Sequence, residues 1–129
     1  MKVLYCSWYE NSQEDLENAL NKITDEVIVI EHKVREYLGI DESVRQEIIS
    51  IVENGIDMII SFDFFPALSQ ICESYNIKYV SWVYDWPNYT LFHKEAYNKC
   101  NRIFLREMAL NYYRNIILIM YIIQVSQLI

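Results

Sequence analysis

The sequence predicts an α/β fold in which a parallel sheet of about five strands lies between two layers of helices. Short apolar runs alternate along the chain with segments whose apolar residues recur at helical spacing, as in βαβ units. The apolar runs are nearly continuous rather than alternating, which is typical of parallel strands that are buried on both faces. Right-handed crossovers between such strands give a doubly wound, Rossmann-like three-layer sandwich.

Five apolar runs predict the strands. They cover residues 2–8, 25–31, 57–62, 78–84 and 102–105. Ser12 and Asp41 are predicted as the N-caps of the first two helices, and Pro66 falls in the first turn of a third, where its missing N–H costs nothing. Residues 90–98 predict a short helix, and residues 107–115 predict a further one.

Each of the first three predicted helices carries an apolar stripe that would face the sheet. The stripes are Leu16, Ala19, Leu20 and Ile23, then Val44, Ile48, Ile51 and Val52, then Leu68, Ile71, Cys72 and Tyr75. Gly55 follows the second stripe and is predicted to end that helix in the left-handed conformation, which glycine adopts without steric cost.

Composition and charge exclude several classes of function. The 129 residues are 53% hydrophobic, which is enough for the core of one domain. Residues 1–60 carry 13 acidic and 5 basic side chains, and residues 61–129 carry 5 acidic and 6 basic ones. No basic stripe exists to displace counterions from phosphates, so no nucleic-acid partner is predicted. With only Gly39 and Gly55, the chain also lacks a glycine-rich phosphate cradle.

The cysteines and histidines give no metal-site pattern. The three cysteines are widely spaced and form no C-x-x-C pair, which argues against a zinc site or a disulfide framework. His32 and His93 are not at ligand spacing, so we predict no metal and no cofactor. The apolar run 116–123 is shorter than the roughly 20 residues of a membrane span, and no signal-like segment precedes residue 2. We therefore expect a cytoplasmic protein without a membrane span.

The loops that follow the predicted strands are the candidate binding site, because ligands of open parallel sheets bind at the carboxyl ends of the strands. These loops are rich in aromatic side chains and contain few carboxylates, which suits a sugar or nucleoside better than a bare phosphate. The candidate ligand contacts are Trp8, Tyr9, Asp63, Phe64, Asp85, Trp86 and His93.

Several of these residues also have a purely structural interpretation. Trp8 and Trp86 are large enough to close the edge of the core. Asp63 stands near the predicted start of the third helix, where a carboxylate satisfies free N–H groups. Asp85 precedes a Trp-Pro turn, and His93 falls in a predicted helix where a surface position is common.

Five blocks in order carry a resemblance to a known family. They are residues 4–11 (LYCSWYEN), 60–66 (ISFDFFP), 79–87 (YVSWVYDWP), 90–92 (TLF) and 100–105 (CNRIFL). Together they resemble the N-terminal domain, of unassigned function, of bacterial glycosyltransferases of the spore-maturation (CgeB-like) type. The resemblance covers about residues 1–115. It departs from the family after the fifth strand, where an Asp-Arg pair is replaced by Arg106-Glu107.

The resemblance implies the N-terminal half of a GT-B glycosyltransferase. In such enzymes the C-terminal domain binds the nucleotide-sugar donor, and the N-terminal domain shapes the side of the cleft that receives the sugar or glycan acceptor. The candidate loop residues would then be acceptor-binding residues. Because the donor domain is missing, the resemblance implies a truncated chain that is inactive alone.

Residues 116–129 are predicted as a separate apolar tail. We hypothesise that this tail arises from a shifted reading frame, because codons can be chosen for residues 117–129 that read IDNVYYPGVSID two bases on. That passage is similar to the entrance of a second GT-B domain. The alternative is a natural short protein whose tail is a final strand or a buried helix.

Two other functional interpretations remain open at this stage. The chain suits a non-catalytic, Rossmann-like module that binds a small ligand or a protein. The segment 57–66 also resembles the phosphoacceptor strand of response-regulator receivers. However, Cys6, Ser7 and Trp8 stand where a receiver needs an acidic pair for magnesium, and Arg106 stands where it needs a lysine.

Overall fold

The computed structural model describes residues 1–33, 40–83 and 88–105. The strands in these ranges are β1 (Lys2–Ser7), β2 (Glu26–Glu31), β3 (Met58–Phe62), β4 (Lys78–Val83) and β5 (Asn101–Leu105). The helices in the same ranges are α1 (Gln13–Ile23), α2 (Glu42–Glu53), α3 (Pro66–Tyr75) and two short 3-10 helices, η1 (Tyr89–Phe92) and η2 (Lys94–Tyr97). The helix predicted at residues 107–115 and the tail at residues 116–129 lie outside the described residues.

The strands form one sheet in the order β2-β1-β3-β4-β5, and every neighbouring pair is parallel. The predicted α/β sandwich with a five-stranded parallel sheet is therefore confirmed. Because the strands run in one direction, their carboxyl ends share one edge of the sheet. The strand order reverses between β1 and β3, and the crevice beside such a reversal is the usual binding position in this architecture.

The sheet separates two hydrophobic clusters. The larger one lies against α2 and α3, on what we call the α2–α3 face, and includes Leu4, Ile48, Ile59, Leu68 and Tyr79. The smaller one lies against α1, on what we call the α1 face, and contains Val3, Tyr5, Leu20, Ile60 and Phe62. Successive residues of β1 and β3 fall in different clusters, so these strands are buried on both faces, as their apolar pattern predicts.

The helices begin where the sequence predicts, but two of their stripes are shorter than predicted. Ser12 and Asp41 are the N-cap residues of α1 and α2, although neither side chain accepts a capping hydrogen bond, and Pro66 opens α3. Ile23 and Tyr75 are exposed, because each is the last residue of its helix, at the turn into the next strand. The stripe residue Ala19 of α1 is exposed as well.

The short helix predicted at residues 90–98 is instead the pair η1 and η2. His93 separates them with an extended backbone (φ −71°, ψ 147°), which interrupts any continuous helix. Its Nδ1 atom accepts a hydrogen bond from the backbone N–H of Glu95 at 3.2 Å and so caps η2. Gly55 has a φ of 105°, which confirms the left-handed end predicted for α2.

The hydroxyl of Tyr79 joins β4 to the loop between β3 and α3. The side chain is fully buried, and its oxygen lies 2.6 Å from Ser61 Oγ and accepts from the N–H of Phe65 at 3.1 Å. Burial raises the pKa of Tyr79, so the hydroxyl stays protonated. Since Phe65 is the N-cap residue of α3, this contact fixes where α3 starts relative to β4.

We predict that Tyr79→Phe lowers the free energy of unfolding by about 1–3 kcal/mol, because it leaves a buried backbone N–H without its partner. Urea unfolding followed by circular dichroism measures the change. The matched control is Tyr75→Phe, whose exposed hydroxyl donates to Glu53 at 2.6 Å and competes with water. The control should change stability by less than about 0.5 kcal/mol; equal losses in both variants would contradict the assignment.

Candidate functional site

The loop after β1 is held in one conformation by the buried carboxylate of Glu10. This side chain is 5% exposed and accepts hydrogen bonds from Ser7 Oγ at 3.0 Å, from the backbone N–H of Trp8 at 2.9 Å and from the Tyr5 hydroxyl. Burial raises the pKa of Glu10. Three donors on one carboxylate offset the cost of burying it and make the loop rigid.

In the loop after β1, one aromatic side chain is exposed to solvent and another is half-buried. Tyr9 adopts a left-handed backbone (φ 68°), and its ring is 57% exposed. Trp8 is half-buried, and its Nε1 donates to the carbonyl of Phe62 at 2.9 Å, which links this loop to the end of β3. A left-handed non-glycine residue costs of order 1 kcal/mol, and the surrounding hydrogen bonds maintain it here.

The loop after β3 is organised around the backbone of Asp63. This residue also has a left-handed φ, of 59°. Its N–H donates to the carbonyl of Trp82 at 2.8 Å, and its carbonyl accepts from Ser61 Oγ at 2.8 Å and from Ser81 Oγ at 2.7 Å. Side chains of the adjacent strands β3 and β4 thus fix the position of the Asp63 loop. This loop lies at the centre of the carboxyl edge, next to the reversal of strand order.

Buried aromatic contacts support these loops from the α2–α3 face. The Phe64 ring is almost fully buried and packs on Tyr79, with ring centroids 5.7 Å apart. His32, which follows β2, is 3% exposed and meets the Phe65 ring edge-on at 5.3 Å. His32 Nδ1 lies 3.4 Å from the Lys33 carbonyl, and Nε2 has no hydrogen-bond partner within the described ranges. Burial lowers the pKa of His32 and keeps its ring neutral.

A cavity of about 330 Å³ opens at the same edge of the sheet. It lies between the first turns of α2 and α3 and the 3-10 helix η2, and all of these follow the carboxyl ends of strands. Its lining consists of Ile40, Glu42, Arg45, Pro66, Ala67, Gln70, His93, Lys94 and Glu95. This volume is in the range of small-molecule pockets.

The polar groups of the cavity are balanced in charge. Two basic side chains, Arg45 and Lys94, stand with two carboxylates, Glu42 and Glu95. Arg45 Nη1 donates to Gln70 Oε1 at 3.0 Å, which orients both side chains across the space between α2 and α3. Donors, acceptors and an apolar wall together suit a neutral ligand with hydroxyl groups. They suit a phosphate group less well, since no excess of positive charge is present.

The structure places the sequence-predicted contacts in three different environments. Trp8, Tyr9 and Asp63 lie together at the centre of the carboxyl edge, whereas Phe64 is buried in the core. His93 lies on the cavity, and its Nδ1 is occupied by the N–H of Glu95. Asp85 and Trp86 lie outside the described residues. Apart from Phe64, the described contacts therefore divide between the edge loops and the cavity.

Sequence reasoning missed the residues that carry most of the cavity's polarity. Arg45 and Gln70 are not among the residues that the sequence predicts for the site. Their positions near the N-terminal ends of α2 and α3 indicate such a role, because those ends lie at the carboxyl edge of the sheet. Glu10 was seen only as a loop residue, and nothing in the sequence indicates its three hydrogen bonds.

The three thiols of the described residues offer no additional chemistry. Cys6, Cys72 and Cys100 are buried, and burial raises the pKa of each thiol, to about 11 for Cys100. They are therefore protonated at neutral pH and poor nucleophiles. No group of three or more His, Cys, Asp or Glu side chains in the described ranges is arranged to hold a metal ion. None of the helices in those ranges has the length and apolar character that crossing a membrane requires.

Comparison with known proteins adds no further assignment. No protein-family model matches the chain, and no curated protein or solved structure matches it either. The fold and the carboxyl-edge geometry are therefore the basis for the functional proposal.

We predict that His32 makes the protein less stable as the pH falls below its ordinary pKa of about 6.5. The unfolded chain binds a proton there, while the folded state, whose His32 pKa is lowered, resists it. The unfolding free energy should fall by up to about 1.4 kcal/mol per pH unit from this group.

Urea unfolding of the wild type and of His32→Gln between pH 7.5 and 5.5 measures this slope. The variant should show the shallower slope, because it lacks the group that titrates on unfolding. Parallel slopes for wild type and His32→Gln would contradict the role of His32.

Proposed function

We propose that the chain is the acceptor-side domain of a nucleotide-sugar-dependent glycosyltransferase, inactive alone, and that its cavity binds a sugar or glycan. The observation that carries the proposal is the charge-balanced cavity at the carboxyl edge of a parallel sheet. The five sequence blocks that resemble the spore-maturation-type enzymes support the same interpretation.

The lining of the cavity matches the chemistry of a sugar. A sugar offers hydroxyl groups that both donate and accept, together with C–H surfaces. Arg45 and Gln70 supply donors, and Glu42 and Glu95 supply acceptors. The wall of Pro66 and neighbouring apolar side chains suits the C–H surface.

The same features argue that a nucleotide-sugar donor binds elsewhere. Donors of this class carry a diphosphate, which proteins bind where a glycine-rich backbone loop or an excess of positive charge accompanies a helix N-terminus. The chain has two glycines, and Gly55 lies between the end of α2 and the start of β3, not in a loop that follows a strand. The two basic residues of the cavity are matched by two carboxylates.

A second candidate function is a stand-alone module that binds the same kind of neutral ligand without catalysis. The closed pattern of hydrogen bonds around Glu10 and Asp63 favours it, because these loops are rigid within the chain itself. The DNA downstream of codon 129 discriminates the two. A donor domain encoded there in any frame supports the glycosyltransferase, and its absence supports the module.

We predict that the purified chain neither transfers sugar nor hydrolyses UDP-glucose, because no described group stabilises a departing nucleoside diphosphate. Release of UDP in the presence of a panel of saccharide acceptors measures both reactions. Turnover that depends on Arg45 would overturn the proposal that the donor site lies outside this domain.

We predict that a glycan array reveals binding of at least one neutral saccharide, and that Arg45→Ala weakens it about tenfold. That factor corresponds to the loss of one hydrogen bond from a charged donor. The matched control is Arg102→Ala, since Arg102 is exposed on β5 and bonds only to nearby carbonyls among its described contacts. UDP-glucose should not compete. No glycan binding, or equal binding by both variants, would contradict the assignment of the cavity.

A further inference from the structure

One residue of the cavity wall, Glu95, is held by a closed ring of hydrogen bonds. Asn98 Nδ2 donates to Glu95 Oε2 and, at 3.1 Å, to Ser69 Oγ. Ser69 Oγ donates to Asn101 Oδ1 at 2.6 Å, and Asn101 Nδ2 donates to the Glu95 carbonyl at 2.8 Å. The ring therefore begins at the carboxylate of Glu95 and ends at the backbone of the same residue.

The donor and the acceptor of each bond in this ring can be assigned. The Ser69 hydroxyl has a single proton and two acceptors within reach, Asn101 Oδ1 at 2.6 Å and the Glu95 carbonyl at 3.0 Å. The shorter contact takes the proton, since the Glu95 carbonyl already accepts from Asn101. Asn98 Nδ2 has two protons, one for the Glu95 carboxylate and one for Ser69 Oγ. The orientations of both Asn amides are therefore fixed.

The ring attaches η2 to α3 and to the sheet. Ser69 lies on α3 and is fully buried, Asn98 is the C-cap residue of η2, and Asn101 is the first residue of β5. A four-residue 3-10 helix has few hydrogen bonds of its own, so its contacts with neighbouring elements determine its position. The ring therefore fixes where Glu95 stands in the wall of the cavity.

One oxygen of Glu95 remains for a ligand. The N–H of Glu95 donates to His93 Nδ1, its carbonyl accepts from Asn101, and its Oε2 accepts from Asn98. Its Oε1 makes no hydrogen bond to the part of the chain that the structure describes, and Glu95 belongs to the cavity lining. An ionised carboxylate only accepts hydrogen bonds, so a ligand group that meets Oε1 must be a donor.

We propose that Glu95 is the specificity-determining residue of the cavity and selects saccharides that place a free hydroxyl against its Oε1. This inference rests on the proposed sugar-binding function. A site built to bond a ligand hydroxyl rejects analogues that lack it, because its own polar group is then left without a partner. Asn98 is a positioning residue, since it acts on the ligand only through Glu95.

Deoxyfluoro sugars test this selection in the full-length protein. Fluorine is close to a hydroxyl group in size but has no proton to donate. On a glycan array that carries neutral saccharides beside their mono-deoxyfluoro derivatives, we expect fluorine at one position to weaken wild-type binding by about tenfold or more. Equal binding of every parent saccharide and its derivatives would overturn the proposal.

Glu95→Gln reverses the polarity of the free atom and retains the ring. The Gln oxygen can still accept from Asn98, and the amide nitrogen then takes the place of Oε1 as a donor. We expect the preference for the hydroxyl over fluorine to fall to about threefold or less, because Oε1 no longer requires a donor. The matched control is Glu73→Gln, which changes an exposed carboxylate outside the cavity lining that accepts from the Cys100 N–H at 3.0 Å. This control should retain the wild-type preference within about twofold.

Asn98→Ala tests the positioning role. Without its amide the Glu95 carboxylate loses its fixed orientation, so the preference for the hydroxyl should fall by about threefold or more. A packing defect alone would weaken the parent saccharide and its fluorinated derivative equally and leave their ratio at the wild-type value. An unchanged ratio would therefore contradict the positioning role of Asn98. If Glu95→Gln fails to fold, the ratio for Asn98→Ala decides the proposal.

NMR of side-chain amides tests the ring without any ligand. Both Nδ2 protons of Asn98 are bonded, so they should exchange with water about tenfold or more slowly than those of Asn54. Asn54 is exposed, and its side chain makes no hydrogen bond to the described residues. Equal exchange rates for the two amides would overturn the ring.

The outcomes on the array separate this inference from the proposed function. If Arg45→Ala weakens saccharide binding but Glu95→Gln retains the wild-type preference, the role of Glu95 is wrong and the sugar-binding function stands. If the wild type binds no saccharide, both are overturned.

Discussion

The need to cover a parallel sheet on both faces governs this structure. Successive side chains of β1 and β3 point to opposite faces and are apolar on both, so each face needs its own layer of helices. With the faces occupied, the loops at the carboxyl edge remain as the place where polar side chains can meet a ligand.

Rigidity at the carboxyl edge comes from buried polar groups instead of glycine or metal ions. Glu10 collects three donors in the loop after β1, and the Asp63 carbonyl collects two hydroxyls from β3 and β4. The contacts of Glu10 maintain the left-handed backbone of its neighbour Tyr9, and the contacts of Asp63 maintain its own left-handed backbone. Without such support this conformation costs free energy. A chain with two glycines can therefore still form tight turns beside its site.

The sequence was sufficient to predict the sheet and the helices that pack on it, because burial along each strand and helix sets the spacing of apolar residues. It failed where contacts of individual side chains decide. The break at His93 depends on a bond to Glu95 that interrupts an otherwise acceptable helical pattern, and the cavity depends on Arg45 and Gln70 meeting from two helices. Of the candidate site, Tyr9, Asp63 and His93 were located by the strand-end rule, while Phe64 followed the core instead.

The cavity is a feature of the carboxyl edge and of the α2–α3 face. None of the residues that line it belongs to the hydrophobic cluster of the α1 face. Changes on the α1 face should therefore alter stability without altering the ligand contacts proposed for Arg45, and changes to Arg45 should do the reverse.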